Sequence, residues 1–400
     1  MHPSAMEPLL PPDGGKFESV AVLLHKEAGA LAASAHPATR AALARLVRIV
    51  NSFYSNLIED IRTTPAEIAA AMQSDYSHDP RRAALQRLAA AHVRVEEAVD
   101  SELAARPDAP VTTPDFIRRL HRDLYAHVPD SERIVRSPRG RESVVEPGEL
   151  RTEDVTVGRH IPPGAGSLPA LLAHFHEAYR PEGLSEVRRV VAFAASHHRL
   201  AWIHPFLDGN GRVSRLLTTA YARRIGLDSN GLWSIARGFA RYRSEYYGAL
   251  ANADEPRGSA LDGRGSLSLA GLEGWCDFVV RVAMDQIQYM RSILKPETLA
   301  DRLRAYSAYR TSTDVNVKAP HAWRIESGDL LATLVSRGTL SRRDALDYFP
   351  KGERTARAAL SVLLRDGMLE ADSHRAGVRL AFPPQAATIL FPDLMTMPAR

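Results

Sequence analysis

The segment from residue 204 to residue 215 concentrates side chains and turns that can handle a phosphate-bearing group. Gly209 and Gly211 permit positive φ and leave space for an anion, and the N–H groups of such a turn form a concave anion-binding surface. Apolar residues then recur at the i, i+3, i+4 and i+7 spacing of a helix: Val213, Leu216, Leu217 and Ala220. The glycine turn is therefore predicted at a helix N-terminus, where free N–H groups and the helix dipole favour negative charge.

The charged side chains of this segment suit the same chemistry. Arg212 and Arg215 lie three residues apart on one helix face, and planar guanidinium groups bind phosphate oxygens in pairs. Asp208 would repel a phosphate unless a cation lay between them, and Mg²⁺ is commonly held by one or two carboxylates together with substrate phosphates. His204 can be neutral near pH 7 and accept a proton. A glycine turn alone is often a plain helix start, and a lone histidine is usually structural, but the full combination indicates a transfer site.

The order of these residues resembles a known family signature. Residues 204–212 read His-Pro-Phe-Leu-Asp-Gly-Asn-Gly-Arg, which resembles the HPFx(D/E)GNGR signature of Fic-domain proteins, and Arg215 resembles their second arginine. Most members of that family transfer AMP from ATP to a hydroxyl group of a protein. The resemblance therefore implies a protein adenylyltransferase that uses ATP and Mg²⁺ and modifies a protein target, itself included. It also implies a mainly α fold, with a Fic-type helical core and a small β-hairpin flap.

The same resemblance assigns roles to individual residues. Four of them are expected to carry catalysis: His204, Asn210, Arg212 and Arg215. The phosphates of ATP are expected to contact Gly209, Asn210, Gly211, Arg212 and Arg215. Within these sets His204 is the general base for a Ser, Thr or Tyr hydroxyl, Arg212 holds the outer phosphates and Arg215 reaches the γ-phosphate. Asp208 is expected to hold the Mg²⁺ ion, and Phe206 to anchor the loop.

A second motif lies far from the first in sequence. Ser55-Asn-Leu-Ile-Glu59-Asp60 resembles the family's inhibitory motif (S/T)xxxE(G/N), and Ser55 and Glu59 are spaced to share one helix face. The resemblance implies that Glu59 pairs with Arg215 and blocks the γ-phosphate position by charge repulsion. The alternative is a solvated helical glutamate. Asp60 departs from the pattern, which leaves the helix end open because Gly is the usual residue there.

A predicted hairpin fits the same interpretation. Residues 144–151 and 155–163 hold short β-branched runs with Pro-Gly in the first, so they predict a hairpin that resembles the family's target-binding flap. The residues assigned to the flap are Pro147, Gly148, Val157 and Gly158. An ordinary surface hairpin is the alternative.

A tyrosine pair follows the motif. Tyr246 and Tyr247 stand where family members often carry two tyrosines near the adenine, so they are assigned to nucleotide binding, with a place in the core as the equal alternative. Asp254 takes the position of an asparagine found in some members. This difference leaves the choice of nucleobase open.

The predicted helices supply the support for these residues. Residues 186–203 are apolar on nearly all sides, which predicts a central helix that ends just before His204. His197 within it is interpreted as structural. Residues 17–107 predict helices broken at Pro37 and Pro80, and further helical patterns occupy 114–127, 167–180, 239–254 and 268–294.

The last part of the chain has a different pattern. Residues 326–348 and 352–366 predict three short helices, and alternating residues near 368–370 and 378–382 predict two strands. This order resembles a winged helix-turn-helix. Arg354, Thr355 and Arg357 at the start of the third helix are candidates for DNA contacts, and a protein-docking role is the alternative.

Length and composition complete the predictions. The 400 residues divide into an N-terminal helical region (1–111), a Fic-type domain (112–295), a linker (296–325) and a winged-helix domain (326–400). The single cysteine excludes an intrachain disulfide and a cysteine-rich zinc site. We predict no membrane span and no signal peptide, and therefore a cytoplasmic protein. The net charge of +4 is mild. The arginine bias and alanine-rich helices are typical of a bacterial protein, and a homodimer is expected by analogy.

Two classes of function remain open from the sequence. The first is a nucleotide-dependent enzyme that adenylylates proteins, with removal of AMP or transfer of another phosphoryl-type group as variants. The second is a DNA-binding transcriptional regulator whose Fic-like region senses a nucleotide. The presence of both His204 and Asp208 favours the enzyme, because a sensor needs no base.

Overall fold

The computed structural model describes residues 2–12, 16–136, 142–313, 322–350 and 352–396. The predicted mainly α architecture is confirmed. The helices are α1 (Glu18–Ala32), α2 (Pro37–Ile58), α3 (Pro65–Met72), α4 (Pro80–Ala105), α5 (Pro114–Tyr125), α6 (Leu168–Tyr179), α7 (Glu186–Ile203), α8 (Asn210–Arg224), α9 (Ile235–Arg241), α10 (Arg243–Asp254), α11 (Leu269–Ile293), α12 (Pro296–Thr313), α13 (Ser327–Arg337), α14 (Arg342–Leu346), α15 (Glu353–Arg365) and α16 (Pro384–Leu390). The strands are β1 (Ile134–Arg136), β2 (Glu142–Val144), β3 (Thr339–Leu340), β4 (Leu369–Glu370) and β5 (Val378–Leu380).

The chain divides into two compact units. The described residues of 1–27, 51–228 and 234–286 form the first, and those of 28–50, 229–233 and 287–400 form the second. This division differs from the predicted domain boundaries. Residues 28–50 belong to the second unit, and α12 occupies most of the predicted linker and packs against α13 and α16. Residues 314–321 of that predicted linker lie outside the described part of the chain.

The core of the first unit is built around α7. Ser185 caps this helix by accepting the N–H of Arg188, and the residues from Val190 to Leu200 are buried. The helix packs against α6 and α8, and α8 packs in turn against α4 and α5. It ends at His204, which takes the left-handed conformation with φ of 49° and donates its N–H to the carbonyl of Leu200. A rigid, fully packed helix therefore delivers His204.

The strands differ from the hairpin predicted between residues 144 and 163. The antiparallel hairpin is formed by β1 and β2, with Ile134 opposite Val144. In the predicted segment only one isolated bridge forms, between Val157 and His160. The reason lies in the backbone hydrogen bonds of this loop, since the N–H of Arg151 donates to the carbonyl of Pro205 in the motif loop instead of to a partner strand.

The second unit ends in short helices and a small sheet. Along the chain α13, β3, α14, α15, β4 and β5 follow one another, and the antiparallel sheet has the order β3-β5-β4. Arg354 and Arg357 on α15 are exposed, whereas Thr355 is half-buried. Arg357 pairs with Glu353. Across the described ranges, none of the helices combines the length and apolar character needed to span a membrane.

Candidate functional site

A cavity of about 560 Å³ in the first unit collects most of the predicted site residues. It is bounded by the end of α7, the start of α8, one face of α10 and the loop at 157–161. The predicted residues that line it are Glu59, Val157, His204, Asn210, Gly211, Arg215, Tyr246 and Tyr247. Asp254 lines it as well.

The orientation of His204 is fixed by the groups around it. Its main-chain carbonyl accepts from Arg151 Nε at 2.8 Å, and its ring Nδ1 lies 3.3 Å from the carbonyl of Ala201. Because a carbonyl only accepts hydrogen bonds, Nδ1 carries the ring proton. Nε2 is therefore the nitrogen with the lone pair, in a ring that lines the cavity.

The surroundings of His204 also set its charge. Burial lowers the pKa of His204 to about 4, and the electrostatic influence of the neighbouring His160 and Arg151 side chains acts in the same direction. At neutral pH the imidazole is uncharged. This is the form that a general base requires.

Asn210 fastens the motif loop. Its Oδ1 accepts the N–H of Phe206 at 2.9 Å, and its Nδ2 donates to the carbonyl of Phe206 at 2.8 Å. Phe206 is fully buried, and His121 stacks on it with 4.0 Å between the ring centroids. The side chain of Asn210 thus stabilises the motif loop through Phe206. The contact of Asn210 with phosphates stays a prediction, and the main-chain N–H of Asn210 is the donor that could make it.

The start of α8 is an anion site that a carboxylate covers. Gly209 has φ of 78° and precedes the helix, so the N–H groups of the first turn point away from the helix body. A Cβ at Gly211 would collide with Oε1 of Glu59. The carboxylate of Glu59 therefore lies directly over the N-terminal turn of α8.

Arg215 binds the same carboxylate. Its Nη2 donates to Glu59 Oε1 at 2.6 Å and to the main-chain carbonyl of Ser55 at 3.0 Å, and its Nε donates to Ser55 Oγ at 2.8 Å. Arg215 is buried, and burial acts to lower its pKa. The charge and hydrogen bond of Glu59, together with Tyr246 and Tyr247, outweigh burial, so the pKa of the guanidinium is raised. The structure thus brings Ser55, Glu59 and Arg215 together as one cluster.

Asp208 and Arg212 form a second cluster with a residue that the sequence did not single out. Arg212 Nη2 donates to Asp208 Oδ2 at 2.9 Å and to the hydroxyl of Tyr125 at 2.8 Å, and that hydroxyl donates to Asp208. Burial opposes ionisation of Asp208, but Arg212 and Tyr125 outweigh it, so the pKa of Asp208 lies below its usual value. Nε and Nη1 of Arg212 are buried without an acceptor in the described part of the chain. These two N–H groups are donors suited to phosphate oxygens.

The donor set around Asp208 decides what kind of metal site fits. Among the described residues no group of three His, Cys, Asp or Glu side chains could enclose a metal. The Asp208 side chain is nevertheless 46% exposed, so it can still reach a ligand. One accessible carboxylate fits Mg²⁺ that takes its remaining ligands from phosphates and water.

The two predicted adenine-site tyrosines have different environments. Tyr246 is buried among Phe239 and Trp275, and its hydroxyl lies 3.1 Å from Nε2 of His197. Tyr247 is 44% exposed, and its hydroxyl donates to the carbonyl of Ile58 at 2.9 Å. Of these two tyrosines, Tyr247 is therefore the one that exposes its ring where it lines the cavity.

The predicted flap residues are separated in the structure. Val157 and Gly158 belong to a tight turn in which Val157 and His160 exchange main-chain hydrogen bonds. Pro147 and Gly148 lie away from the cavity, since the N–H of Gly148 donates to Nδ1 of His121 on α5. Pro-Gly is a general turn signal, so it does not identify which turn approaches the site.

Sequence reasoning missed three supporting residues. His121 and Tyr125 lie on the buried face of α5, where their spacing matches that of core positions, and they contact Asp208. Arg151 holds the loop at His204 through a main-chain carbonyl. Such contacts leave no local pattern, because they depend on which helix packs beside the motif.

Comparisons with known proteins bear on this site. The Fic/DOC family matches residues 111–222. Over 145 residues the chain is 37% identical to the protein adenylyltransferase Fic of Drosophila erecta, which covers 36% of this chain and 25% of that protein. Over 136 residues it is 36% identical to the protein of the same name from Drosophila mojavensis, covering 34% and 26%. The chain thus spans about a quarter of the length of these curated relatives.

The fold also has a counterpart among solved structures. A crystal structure of a Fic family protein from Desulfovibrio desulfuricans G20 superposes with a TM-score of 0.50 at 19% identity. The match covers 93% of this chain and 98% of that chain. At this identity the likeness concerns the fold alone.

The role of Asn210 in the loop predicts a loss of stability on substitution. Asn210→Ala removes both hydrogen bonds to buried Phe206, so the free energy of unfolding should fall by about 1–3 kcal/mol for each bond lost. Urea denaturation measures this change. Asn210→Asp keeps an acceptor for the N–H of Phe206 but sets a second carboxylate oxygen against the carbonyl of Phe206, so it should also lose stability. Equal stability of Asn210→Ala and the unmodified chain would contradict the loop-fastening role.

The environment of His204 predicts an unusual titration. Because burial disfavours the imidazolium, the ring should remain neutral as the pH falls through the ordinary histidine range and protonate only near pH 4. NMR of ¹³Cε1-labelled histidine measures protonation of the imidazole as a function of pH. The signal that is absent in the His204→Asn variant belongs to His204. A midpoint near pH 6.5 would show that the ring is solvated and freely charged.

Proposed function

We propose that this chain is a protein adenylyltransferase that transfers AMP from ATP to a hydroxyl group of a protein, because its residues 111–222 match the Fic/DOC family. One observation carries the proposal. A single cavity joins the neutral imidazole of His204 to the N-terminal turn of α8 and to Arg215. A proton acceptor beside an anion site is what attack of a hydroxyl group on a phosphate requires.

The reaction follows from these positions. The hydroxyl oxygen of the target attacks the α-phosphorus of ATP while Nε2 of His204 takes its proton. The new O–P bond forms as the bond between the α-phosphorus and the bridging oxygen breaks, and pyrophosphate leaves. The N–H groups at the start of α8, with Arg212 and Arg215, bind the phosphates and neutralise their charge. Asp208 would hold Mg²⁺, which supplies further charge neutralisation when bound.

Glu59 accounts for inhibition of the same site. Its carboxylate occupies Arg215 and lies over Gly211, where the outer phosphates would otherwise bind. Two negative groups repel each other in a partly buried site, so ATP cannot take its reactive position while Glu59 remains. The chain is therefore proposed to be autoinhibited by Glu59, with Ser55 fixing Arg215 from the same helix.

The protein target is proposed to bind beside the turn at 157–161. Val157 is 40% exposed and Ile161 is 76% exposed, next to the cavity that holds His204. Exposed apolar side chains next to a short paired turn suit an extended target segment that adds to the turn as a strand. Val157 and Gly158 keep their assignment to the flap in this proposal.

DNA binding is a second candidate function. The observation that favours it is that α15 begins with the exposed side chains of Arg354 and Arg357, in the element order expected of a winged helix-turn-helix. Glu353 pairs with Arg357, and this pairing weakens the positive surface. The adenylyltransferase proposal therefore has the stronger support.

Release of Glu59 should switch the enzyme on. Glu59→Gly is expected to raise incorporation of AMP from α-labelled ATP with Mg²⁺, because Arg215 and the start of α8 become available to phosphate. Mass spectrometry of the purified protein identifies the transferred group. Adding His204→Ala to Glu59→Gly should abolish the incorporation.

Each result of that experiment tests one assignment. Unchanged labelling in Glu59→Gly would contradict inhibition by Glu59. Labelling that persists when His204 is removed would exclude its role as the base. A mass gain other than that of AMP would show that the site transfers a different phosphoryl-type group.

The second candidate has its own prediction. If α15 binds DNA, affinity for duplex DNA should fall steeply with salt concentration, and Arg354→Ala should weaken it across all sequences. Mobility-shift titration at several salt concentrations measures both effects, with Arg304→Ala on α12 as a matched surface control. No binding at low salt would exclude this function.

A further inference from the structure

Main-chain hydrogen bonds at the end of α2 determine where Glu59 lies. The N–H of Ile61 donates to the carbonyl of Asn56 at 2.9 Å, and the N–H of Asp60 donates to that of Leu57 at 3.1 Å. This pair of bonds is a Schellman motif in which Glu59 is the C-cap. Asp60 occupies the left-handed position with φ of 58°. Aspartate is less favourable than glycine in this conformation, and contacts of its side chain can offset the difference.

Side chains from α10 provide that interaction. Arg243 Nη2 donates to Asp60 Oδ2 at 2.7 Å and to the carbonyl of Ile58 at 3.0 Å. The hydroxyl of Tyr247 donates to the same carbonyl at 2.9 Å. This carbonyl belongs to the last turn of α2, where intrahelical partners are missing. Two residues of α10 therefore complete the hydrogen bonding of the helix end beside Glu59.

The charged part of this arrangement lies outside the cavity. The side chain of Asp60 is 79% exposed and that of Arg243 is 39% exposed, and neither lines the cavity. Tyr247 does line it. Substitution of Asp60 or Arg243 therefore alters the support of Glu59 without removing a group from the nucleotide site.

We propose that Asp60 and Arg243, assisted by Tyr247, form a latch that positions Glu59 over Arg215 and so sets how often the inhibitory contact opens. The regulatory part rests on the proposed adenylyltransferase function. The structural part, that the latch holds the end of α2, does not. Tyr247 connects the two parts, because it lines the proposed nucleotide cavity and also binds the end of α2. A nucleobase that packs on its ring would therefore contact a residue of the latch.

The exposure of the ion pair determines how strong the latch is. Exposed pairs of this kind shift a two-state equilibrium by about two- to fivefold, and salt weakens them. Loss of the latch should therefore change the extent of inhibition by a small factor, whereas loss of Glu59 should remove the inhibition. The latch should respond to ionic strength, since only the Asp60–Arg243 contact in this set joins two charges exposed to solvent.

Hydrogen exchange followed by mass spectrometry tests the structural part. Asp60→Asn keeps the tolerance for positive φ but removes the charge, and Arg243→Gln removes the other charge. Each should raise exchange of the amides at 56–61 by about two- to fivefold at low salt, and the gain should shrink at high salt. Arg281→Gln is the matched control, because Arg281 forms a similarly exposed pair with Glu245 on the same helix α10.

Asp60→Gly separates the latch from simple helix capping. Glycine is the best residue for the left-handed position, so capping alone would slow exchange, whereas loss of the latch raises it. Unchanged or slower exchange in both Asp60→Asn and Asp60→Gly would overturn the proposal.

Labelling from ATP tests the regulatory part. Asp60→Asn and Arg243→Gln should each raise AMP incorporation by about two- to fivefold in the otherwise unmodified chain. They should add nothing in the Glu59→Gly background, where no inhibitory contact remains to be released. An equal gain in both backgrounds would overturn the regulatory role. If Glu59→Gly itself incorporates no label, the adenylyltransferase proposal fails, while the exchange experiment still decides whether the latch exists.

Discussion

The buried guanidinium of Arg215 is the constraint around which the site is organised. A charge removed from water must be paired and hydrogen-bonded, and here Ser55 and Glu59 satisfy it. Any state without Glu59 leaves Arg215 in need of another anion, and the neighbouring start of α8 makes phosphate a suitable one. In the proposed function, inhibition by Glu59 and binding of phosphate are therefore two ways to satisfy one electrostatic requirement, so they exclude each other.

The second arginine shows the opposite situation. Arg212 is buried with one nitrogen bound to Asp208 and Tyr125, while its Nε and Nη1 lack acceptors among the described residues. Unsatisfied buried donors are unfavourable, and they are retained most readily where a ligand completes them. The site thus combines Arg215, whose charge is paired with Glu59, with Arg212, which keeps two buried donors without an acceptor among the described residues. In the proposed function, a phosphate would complete these donors of Arg212, and it would reach Arg215 only by displacing Glu59.

The sequence predicts those parts of the site that local patterns determine. The glycine turn, the helix that follows it and the apolar helix before His204 are all visible as spacing, and they occur at the expected positions. Tyr125 escaped prediction because its contact with Asp208 depends on how α5 packs. The hairpin predicted at 144–163 does not form there, because the N–H of Arg151 donates to the carbonyl of Pro205 in the motif loop instead of to a partner strand. Local patterns carry no information about such partners.

Asp60 shows how a departure from a sequence pattern becomes interpretable once its contacts are known. In the sequence, an aspartate at a position usually held by glycine or asparagine only places the helix end in doubt. In the structure Asp60 takes the left-handed conformation, and its carboxylate accepts a hydrogen bond from Arg243. Local strain accepted for a tertiary contact is typical of functional positions. In the proposed function, the strength of inhibition by Glu59 can therefore vary through residues outside the cavity while His204, Arg212 and Arg215 stay unchanged. The reason is that the contact between Glu59 and Arg215 depends on where α2 ends.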